Sequence, residues 1–186
     1  MEAAPIAAFF PGAMNTFDIP LQLASERLIL RPFVEADWRS MHAHYAHPEC
    51  TRYTLGRVLT EGESWRLTAA LAGHWLLRGY GPYALEDKAS GAMIGAAGLW
   101  HPVDFPEREI KWALLPEAQG RGYAREAAGT ILRMLQDVWP GEPPISFIDQ
   151  RNTASIRVAL AIGARLERVC PFRGAEFGIY RHVYPG

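Results

Sequence analysis

Cysteine is scarce in this sequence, and its positive and negative charges nearly cancel. With Cys50 and Cys170 as the two cysteines among 186 residues, a small secreted fold held by several disulfides is excluded. The 19 basic and 20 acidic side chains leave a net charge of −1, which excludes the strongly basic surface of a general nucleic-acid binder. Uninterrupted apolar runs stay shorter than the ~20 residues of a membrane span. We therefore expect a reduced, cytoplasmic protein that binds neither nucleic acid nor membrane.

Residues 1–20 are apolar enough to be mistaken for a signal peptide, but they lack its other features. The stretch has no basic residue, contains Glu2 and is interrupted by Pro5 and Pro11. A signal peptide needs a basic start followed by an unbroken apolar segment. We predict a poorly ordered or loosely docked N-terminal arm over residues 1–20 and a single domain over residues 21–186.

The remainder of the chain alternates short apolar runs with helical periodicity. Helices are predicted at residues 38–45, 60–79, 124–138 and 152–162, and strands at residues 27–31, 83–86, 92–100, 109–115, 145–148, 165–169 and 177–184. A hairpin over residues 83–100 predicts antiparallel pairing. Strand, helix and strand over residues 109–148 predict a right-handed crossover and a parallel pair. The predicted fold class is α/β with α+β character, a single domain with a central twisted mixed sheet flanked by helices.

A glycine-containing loop, P-E-A-Q-G-R-G-Y-A-R-E, joins the strand that starts at Glu109 to the next helix. Glycines at positions 120 and 122 permit left-handed backbone and close approach of a ligand. The start of the helix offers unpaired N–H groups. Arg121 and Arg125 add positive charge where a helix alone favours acids, which points to an anionic ligand. The alternative is a turn that serves only to reverse the chain.

The order Gln119-x-x-Gly122-x-Ala124 resembles the acyl-CoA pyrophosphate loop of the GNAT superfamily of N-acetyltransferases. The segment from Asn152 to Gly163 resembles that superfamily's helix beside the cofactor thiol. The opening S-E-R-L-I-L-R-P-F is similar to the branch that acetylates ribosomal-protein N-termini. The resemblance spans about residues 24–184.

This resemblance implies a fold of the GNAT type and acetyl-CoA as co-substrate, with no metal. It implies that the cofactor's pantetheine pairs with backbone groups in a gap between two splayed parallel strands, and that its pyrophosphate binds the glycine loop. The cofactor-binding residues so implied are Trp112, Ala113, Leu114, Gln119, Gly120, Arg121, Gly122, Tyr123, Ala124, Arg125, Asn152 and Ser155.

The reaction implied is transfer of an acetyl group to a primary amine, including a protein N-terminal amine. Ser155 is the expected proton donor to the departing thiolate, because Ala159 stands where many relatives carry a tyrosine. Glu109 is the expected base, acting directly or through water. The alternatives are that Asn152 and Ser155 only cap their helix and that Glu109 is an ordinary solvated carboxylate.

The acceptor and the assembly state are open at this point. A small amine of the polyamine or antibiotic type is one alternative acceptor, and a non-catalytic acyl-CoA sensor is a second class of protein. The resemblance also allows a homodimer. An acidic cleft from Asp104, Glu107 and Glu109 would favour a cationic acceptor.

Two further residue groups have competing interpretations. Zinc binding is not expected from His42, His44, His47 and Cys50, because residues 42 and 44 point to different sides of a helix; these side chains are expected at the substrate cleft or in solvent. Core packing is favoured over an acceptor pocket for Trp65, Trp75, Trp100 and Trp112.

Overall fold

The computed structural model describes residues 17–184. Residues 1–16, most of the predicted N-terminal arm, lie outside the described residues. The strands are β1 (Leu23–Ala24), β2 (Leu28–Arg31), β3 (Pro82–Asp87), β4 (Met93–Trp100), β5 (Glu109–Leu114), β6 (Ile145–Asp149), β7 (Arg165–Phe172) and β8 (Ala175–Arg181). The helices are α1 (Asp37–Tyr45), α2 (Pro48–Thr51), α3 (Glu61–Arg78), α4 (Tyr123–Val138) and α5 (Thr153–Ala161).

The eight strands form one sheet in the order β1-β2-β3-β4-β5-β6-β8-β7. The pair β5 and β6 is parallel, and α4 connects the two strands. Every other neighbouring pair in the sheet is antiparallel. The predicted mixed sheet, with its crossover at residues 109–148, is confirmed.

Helices cover the two faces of this sheet. On one face, called here the α4 face, buried side chains of α4 such as Ile131 and Leu135 pack with Ile110 and Leu114 of β5. The amphipathic pattern of α4 accounts for this burial. On the opposite face, called here the α1 face, Met41 of α1 packs with Ala84, Met93 and Ala96 of β3 and β4. Since side chains alternate along a strand, neighbouring residues of β5 lie on opposite faces.

Local sequence signals set the ends of α3. The Thr60 side chain accepts from the Glu63 backbone N–H, and the Glu63 carboxylate accepts from the Thr60 backbone N–H. This is the predicted capping box, and such caps typically stabilise a helix by ~1 kcal/mol. Gly79 ends the helix with φ of 75°, a left-handed conformation that glycine adopts at little cost.

Two local features differ from the sequence expectation. Pro48 does not only end the first helical segment; it also occupies the first turn of the short helix α2, where its missing N–H costs nothing. The two-residue strand β1 was not predicted, since two residues carry no periodicity. It pairs with β2 through Leu23 and Leu30.

The last residues of the predicted arm pack against the domain. The Phe17 ring meets the Trp75 ring edge-on, with 5.8 Å between centroids. Asp18 N–H donates to the Gly79 carbonyl at 2.8 Å, and Ile19 is buried in the core. Residues 17–20 are therefore attached to the C-terminal end of α3.

Candidate active site

A gap opens between the parallel strands β5 and β6. They share one register pair, Glu109 with Ile145, and no other pair of residues in these two strands is in register. Further along β5, Leu115 N–H donates to Ile94 O beside β4. Since backbone groups of successive strand residues point to opposite sides, Ala113 directs its backbone groups toward β4. Trp112 and Leu114 direct theirs into the gap.

Glu109 lies at the closed end of this gap and is buried, with 7% of its surface exposed. Its Oε2 accepts a hydrogen bond of 3.0 Å from the Phe147 backbone N–H of β6. Burial raises the pKa of Glu109 to about 7, against the opposing effects of the Lys111 charge and the Phe147 hydrogen bond. A carboxyl group with such a pKa exchanges protons readily near neutral pH.

Lys111 is a neighbour of Glu109 that sequence reasoning missed. The two residues lie two positions apart in β5 and therefore on the same face of the sheet. The Lys111 ammonium sits 5.1 Å from the centre of the Trp100 ring. Burial lowers the pKa of Lys111, against the attraction of Glu109. The order E-I-K was the available signal, because alternation along a strand pairs the first and third residues.

The predicted glycine loop leads into the N-terminus of α4. Gly120 and Gly122 have φ of 73° and 81°, which explains why glycine occupies both positions. Gly122 is the N-cap residue, and no side chain caps this helix. The first N–H groups of α4 consequently have no partner within the helix. Arg121 and Arg125 are exposed beside them.

A set of polar contacts fixes this loop to the turn between β1 and β2. Arg27 donates to the Arg121 carbonyl at 3.0 Å, and its guanidinium lies 4.4 Å from the centre of the Tyr123 ring. The Glu126 carboxylate accepts from the Arg27 backbone N–H and from Arg27 Nε, each at 2.7 Å. Ser25 Oγ donates to the same carboxylate at 2.7 Å. These residues were not predicted as part of the site.

A cleft of 810 Å³ continues from Gly122 along the outer side of α4. Its walls carry the side chains of Arg27, Arg125, Arg133 and Arg165, with Glu126 as the acidic member. Residues 161–163, at the C-terminal end of α5, also line the cleft. The surplus of positive charge in this cleft matches a phosphorylated ligand.

The predicted helix after β6 is present, and Asn152 is its N-cap. Asn152 Oδ1 accepts from the Ser155 backbone N–H at 3.1 Å, which agrees with a capping role. Before it, buried Asp149 accepts from the backbone N–H and the guanidinium of Arg151, at distances of 2.6 to 3.0 Å. The hydrogen bonds from Arg151 lower the pKa of Asp149. This ion pair fixes the turn that positions Asn152 and Ser155.

The side chains of His42, His44 and Cys50 contact different neighbours and do not meet at one site. His44 Nδ1 lies 2.8 Å from the Leu114 carbonyl, whereas His42 Nδ1 lies 2.8 Å from Ser64 Oγ. Gln119 Nε2 contacts both the Leu114 carbonyl, at 3.2 Å, and Cys50 Sγ, at 3.0 Å. Within residues 17–184, no group of three His, Cys, Asp or Glu side chains is arranged to hold a metal ion. Burial lowers the pKa of His44, so it is neutral at pH 7.

The acidic residues considered for an acceptor cleft do not act together. Asp104 is paired with Arg173 at 2.6 Å, and Glu107 is paired with Arg181 at 2.7 Å. Glu109 is buried, whereas Asp104 and Glu107 are in ion pairs nearer the surface. Of the tryptophans, Trp75 is a core residue whose Nε1 donates to the Pro82 carbonyl, and Trp65 is exposed.

The mixed sheet opens between its two parallel strands. A glycine loop, an uncapped helix and an arginine-lined cleft lie beside the opening. This is the architecture of an acetyl-CoA-dependent acyltransferase. Residues 27–165 match the sequence model of the GNAT acetyltransferase domain. This match spans well over half of the chain, and the chain belongs to the GNAT family. Among the described residues, no helix is long and apolar enough to cross a membrane.

Known proteins similar to this chain carry acetyltransferase names. One is the uncharacterised N-acetyltransferase YnaD of Bacillus subtilis (strain 168), 26% identical over 160 residues, which cover 84% of this chain and 92% of that protein. The crystal structure of an acetyltransferase from Agrobacterium tumefaciens str. C58 is 30% identical, with a TM-score of 0.78 and coverage of 89% and 95%. RimL, a ribosomal L7/L12 alpha-N-protein acetyltransferase in complex with coenzyme A, shares the fold at 17% identity, with a TM-score of 0.70 and coverage of 89% and 97%.

Proposed function

We propose that this protein transfers the acetyl group of acetyl-CoA to a primary amine, with Glu109 as the base, and that the amine is a protein N-terminus. The observation that carries the proposal is the buried Glu109 carboxyl, with its pKa raised to about 7 and its Oε2 fixed by Phe147. An acetyl group delivered along the gap between β5 and β6 would meet the amine at this carboxyl.

The cofactor follows the backbone groups that lead to Glu109. In the proposal, the pyrophosphate binds the N–H groups from Gly120 to Arg125, where an uncapped helix supplies partial positive charge. The nucleotide portion lies in the cleft beside Gly122, and the pantetheine pairs with the backbone of Trp112. The Leu114 carbonyl is already occupied by His44 and Gln119, so Leu114 contributes its N–H.

The chemical step forms one carbon–nitrogen bond and breaks one carbon–sulfur bond. The ammonium first loses a proton to Glu109, and the neutral amine attacks the thioester carbonyl. A backbone N–H in the gap stabilises the developing oxyanion. As the tetrahedral intermediate collapses, Ser155 donates a proton to the departing thiolate and recovers one from the nitrogen through water. Glu109 then releases its proton to solvent, which restores the starting state of the enzyme.

The pKa of Glu109 favours an α-amino group over a lysine side chain as acceptor. An α-amino group has an ordinary pKa of about 8, whereas that of a lysine amine is about 10.4. A base with a pKa near 7 deprotonates the former with a much smaller penalty. The fold shared with an alpha-N-protein acetyltransferase also supports this acceptor.

Release of free CoA from acetyl-CoA, measured with a thiol reagent, tests the proposal. The acceptors are peptides with free N-termini, the same peptides with blocked N-termini, and small polyamines and aminoglycosides. We expect release with free N-termini alone, and mass spectrometry should locate the acetyl group on the α-nitrogen. Release with polyamines alone would favour the small-amine alternative. Tight acetyl-CoA binding with no release for any amine would favour the sensor.

A further inference from the structure

Four phenylalanine rings form a cluster on the α1 face, next to the closed end of the gap. Phe147 of β6 packs with Phe105, Phe172 and Phe177, with ring centroids 4.9 to 5.6 Å apart. Phe172 and Phe177 come from the hairpin of β7 and β8, and Phe105 comes from the connection between β4 and β5. Phe147 is buried, and the other three rings are partly exposed.

This cluster is continuous with the proposed reaction centre. The register pairs Phe147 with Ile179 and Asp149 with Phe177, and Ile145 with Glu109. Residues 145, 147 and 149 alternate with the rest of β6, so the Phe147 ring projects on the same face as the Glu109 side chain. The backbone N–H of Phe147 also holds the Glu109 carboxyl at 3.0 Å. An amine bound at Glu109 therefore lies beside the rings.

An ion pair contacts two of the rings. Arg173, in the turn between β7 and β8, pairs with Asp104 at 2.6 Å. Its guanidinium lies 4.8 Å from the centre of the Phe172 ring and 5.8 Å from that of Phe105. These contacts connect the hairpin turn to the connection before β5 and hold the partly exposed rings together.

The charged side chains around the rings already pair with one another. Asp104 pairs with Arg173, and Arg181 pairs with both Glu107 and Glu167. The surface left for an acceptor beside the amine is therefore that of the partly exposed rings. An apolar group beside the amine would gain contact area on the rings.

We propose that the cluster formed by Phe105, Phe147, Phe172 and Phe177 binds a large apolar side chain of the acceptor's N-terminal residue. This inference rests on the proposed function and narrows its substrate class to polypeptides that begin with a residue such as phenylalanine, leucine or methionine. Phe105 is the ring that can be replaced with the least risk to the fold, because it lies in the connection between β4 and β5 rather than in the sheet.

The test compares peptides that differ only in residue 1, which is phenylalanine, leucine, alanine, serine or aspartate. For the wild type, we expect kcat/KM to be ~10- to 200-fold higher with phenylalanine or leucine than with serine, the range for apolar pocket contacts. Phe105→Ala should remove most of this preference by raising KM for the phenylalanine and leucine peptides, with a much smaller change for the serine peptide. Val103→Ala is the matched control, since Val103 is 94% exposed in the same connection.

The outcomes separate this inference from the function on which it rests. Equal kcat/KM for all five peptides, or a preference that survives in Phe105→Ala, would overturn the pocket and leave acetyl transfer standing. Absence of CoA release with every amine would refute both. Phe105→Leu provides the same comparison if the alanine variant loses its near-ultraviolet circular dichroism. Phenethylamine and ethylamine form a second arm, and a preference for phenethylamine equal to that for the phenylalanine peptide would assign recognition to the apolar group alone.

Discussion

Replacing Glu109 by glutamine removes the proposed base and changes little else. The glutamine carbonyl can accept the 3.0 Å hydrogen bond that Phe147 N–H donates to Oε2, so the closed end of the gap is preserved. General-base catalysis typically contributes ~10²–10⁴ in rate. We therefore expect kcat for an N-terminal peptide to fall by that factor in Glu109→Gln, with an unchanged affinity for acetyl-CoA. The thiol assay and calorimetric titration measure the two quantities.

The pH profile identifies the group more directly than the rate. A base with a pKa of about 7 loses activity below that pH, by about tenfold per pH unit. The wild type should show an acid limb with a pKa near 7. In Glu109→Gln with the same acceptor, the limb should move to the acceptor's own pKa of about 8, because the variant reacts only with amine that is already neutral. A variant that keeps the wild-type kcat and the wild-type acid limb would refute the role of Glu109 as the base.

Stability provides an independent readout of the same carboxyl group. Its pKa rises from the usual 4.5 to about 7 on folding, so between these values the folded state holds the proton more firmly. The carboxyl group therefore contributes about 3 kcal/mol to the free energy of unfolding below pH 4.5, and this contribution is lost as pH rises through 7. Relative to the wild type, Glu109→Gln should gain up to that amount at pH 8 and nothing at pH 4.5, by urea unfolding. Glu176→Gln, which removes an exposed carboxylate, is the control and should show no such dependence.

Three other substitutions test separate parts of the molecule. Gly122→Trp should abolish CoA binding by calorimetry, because the side chain fills the loop surface. Gly56→Trp, at a position with the same left-handed backbone and nothing within 4 Å, is the control for backbone strain and should retain affinity; binding by both variants would refute the loop assignment. Ser155→Ala keeps the backbone N–H that Asn152 caps and should lower kcat by ~10²–10⁴; unchanged turnover would restrict Ser155 to helix capping. His182 is buried against Ser146, and burial lowers its pKa to about 4. The contribution of His182 to stability should therefore fall by about 3 kcal/mol as pH falls from 6.5 to 4. The difference in unfolding free energy between the wild type and His182→Gln should change by that amount, and a difference that stays constant with pH would contradict this.

The sequence predicted those parts of the fold that depend on short-range signals. Thr60 and Glu63 lie three residues apart, and their capping box marks the start of α3 without knowledge of the tertiary structure. Gly120 and Gly122 marked a loop that needs left-handed backbone. Glu109 was identifiable as a candidate because of its place in the family resemblance.

The environment of these residues depends on contacts between distant segments. Glu126 holds Arg27 across 99 positions of sequence, and no local pattern indicates that pairing. The burial of Glu109 depends on how far β6 separates from β5, which residue order does not specify. The phenylalanine cluster draws on three separate segments, and its members read individually as ordinary strand or loop residues.

We propose that acetyl-CoA enters the gap between β5 and β6 and directs its acetyl group to Glu109. Titrating acetyl-CoA while recording backbone amide resonances by NMR tests this most directly. We expect shifts for the amides of Gly120, Gly122, Trp112 and Leu114, together with that of Phe147 beside the acetyl group. Unperturbed resonances at these positions, with shifts confined to another part of the surface such as the 590 Å³ cleft that includes Arg108, would contradict it.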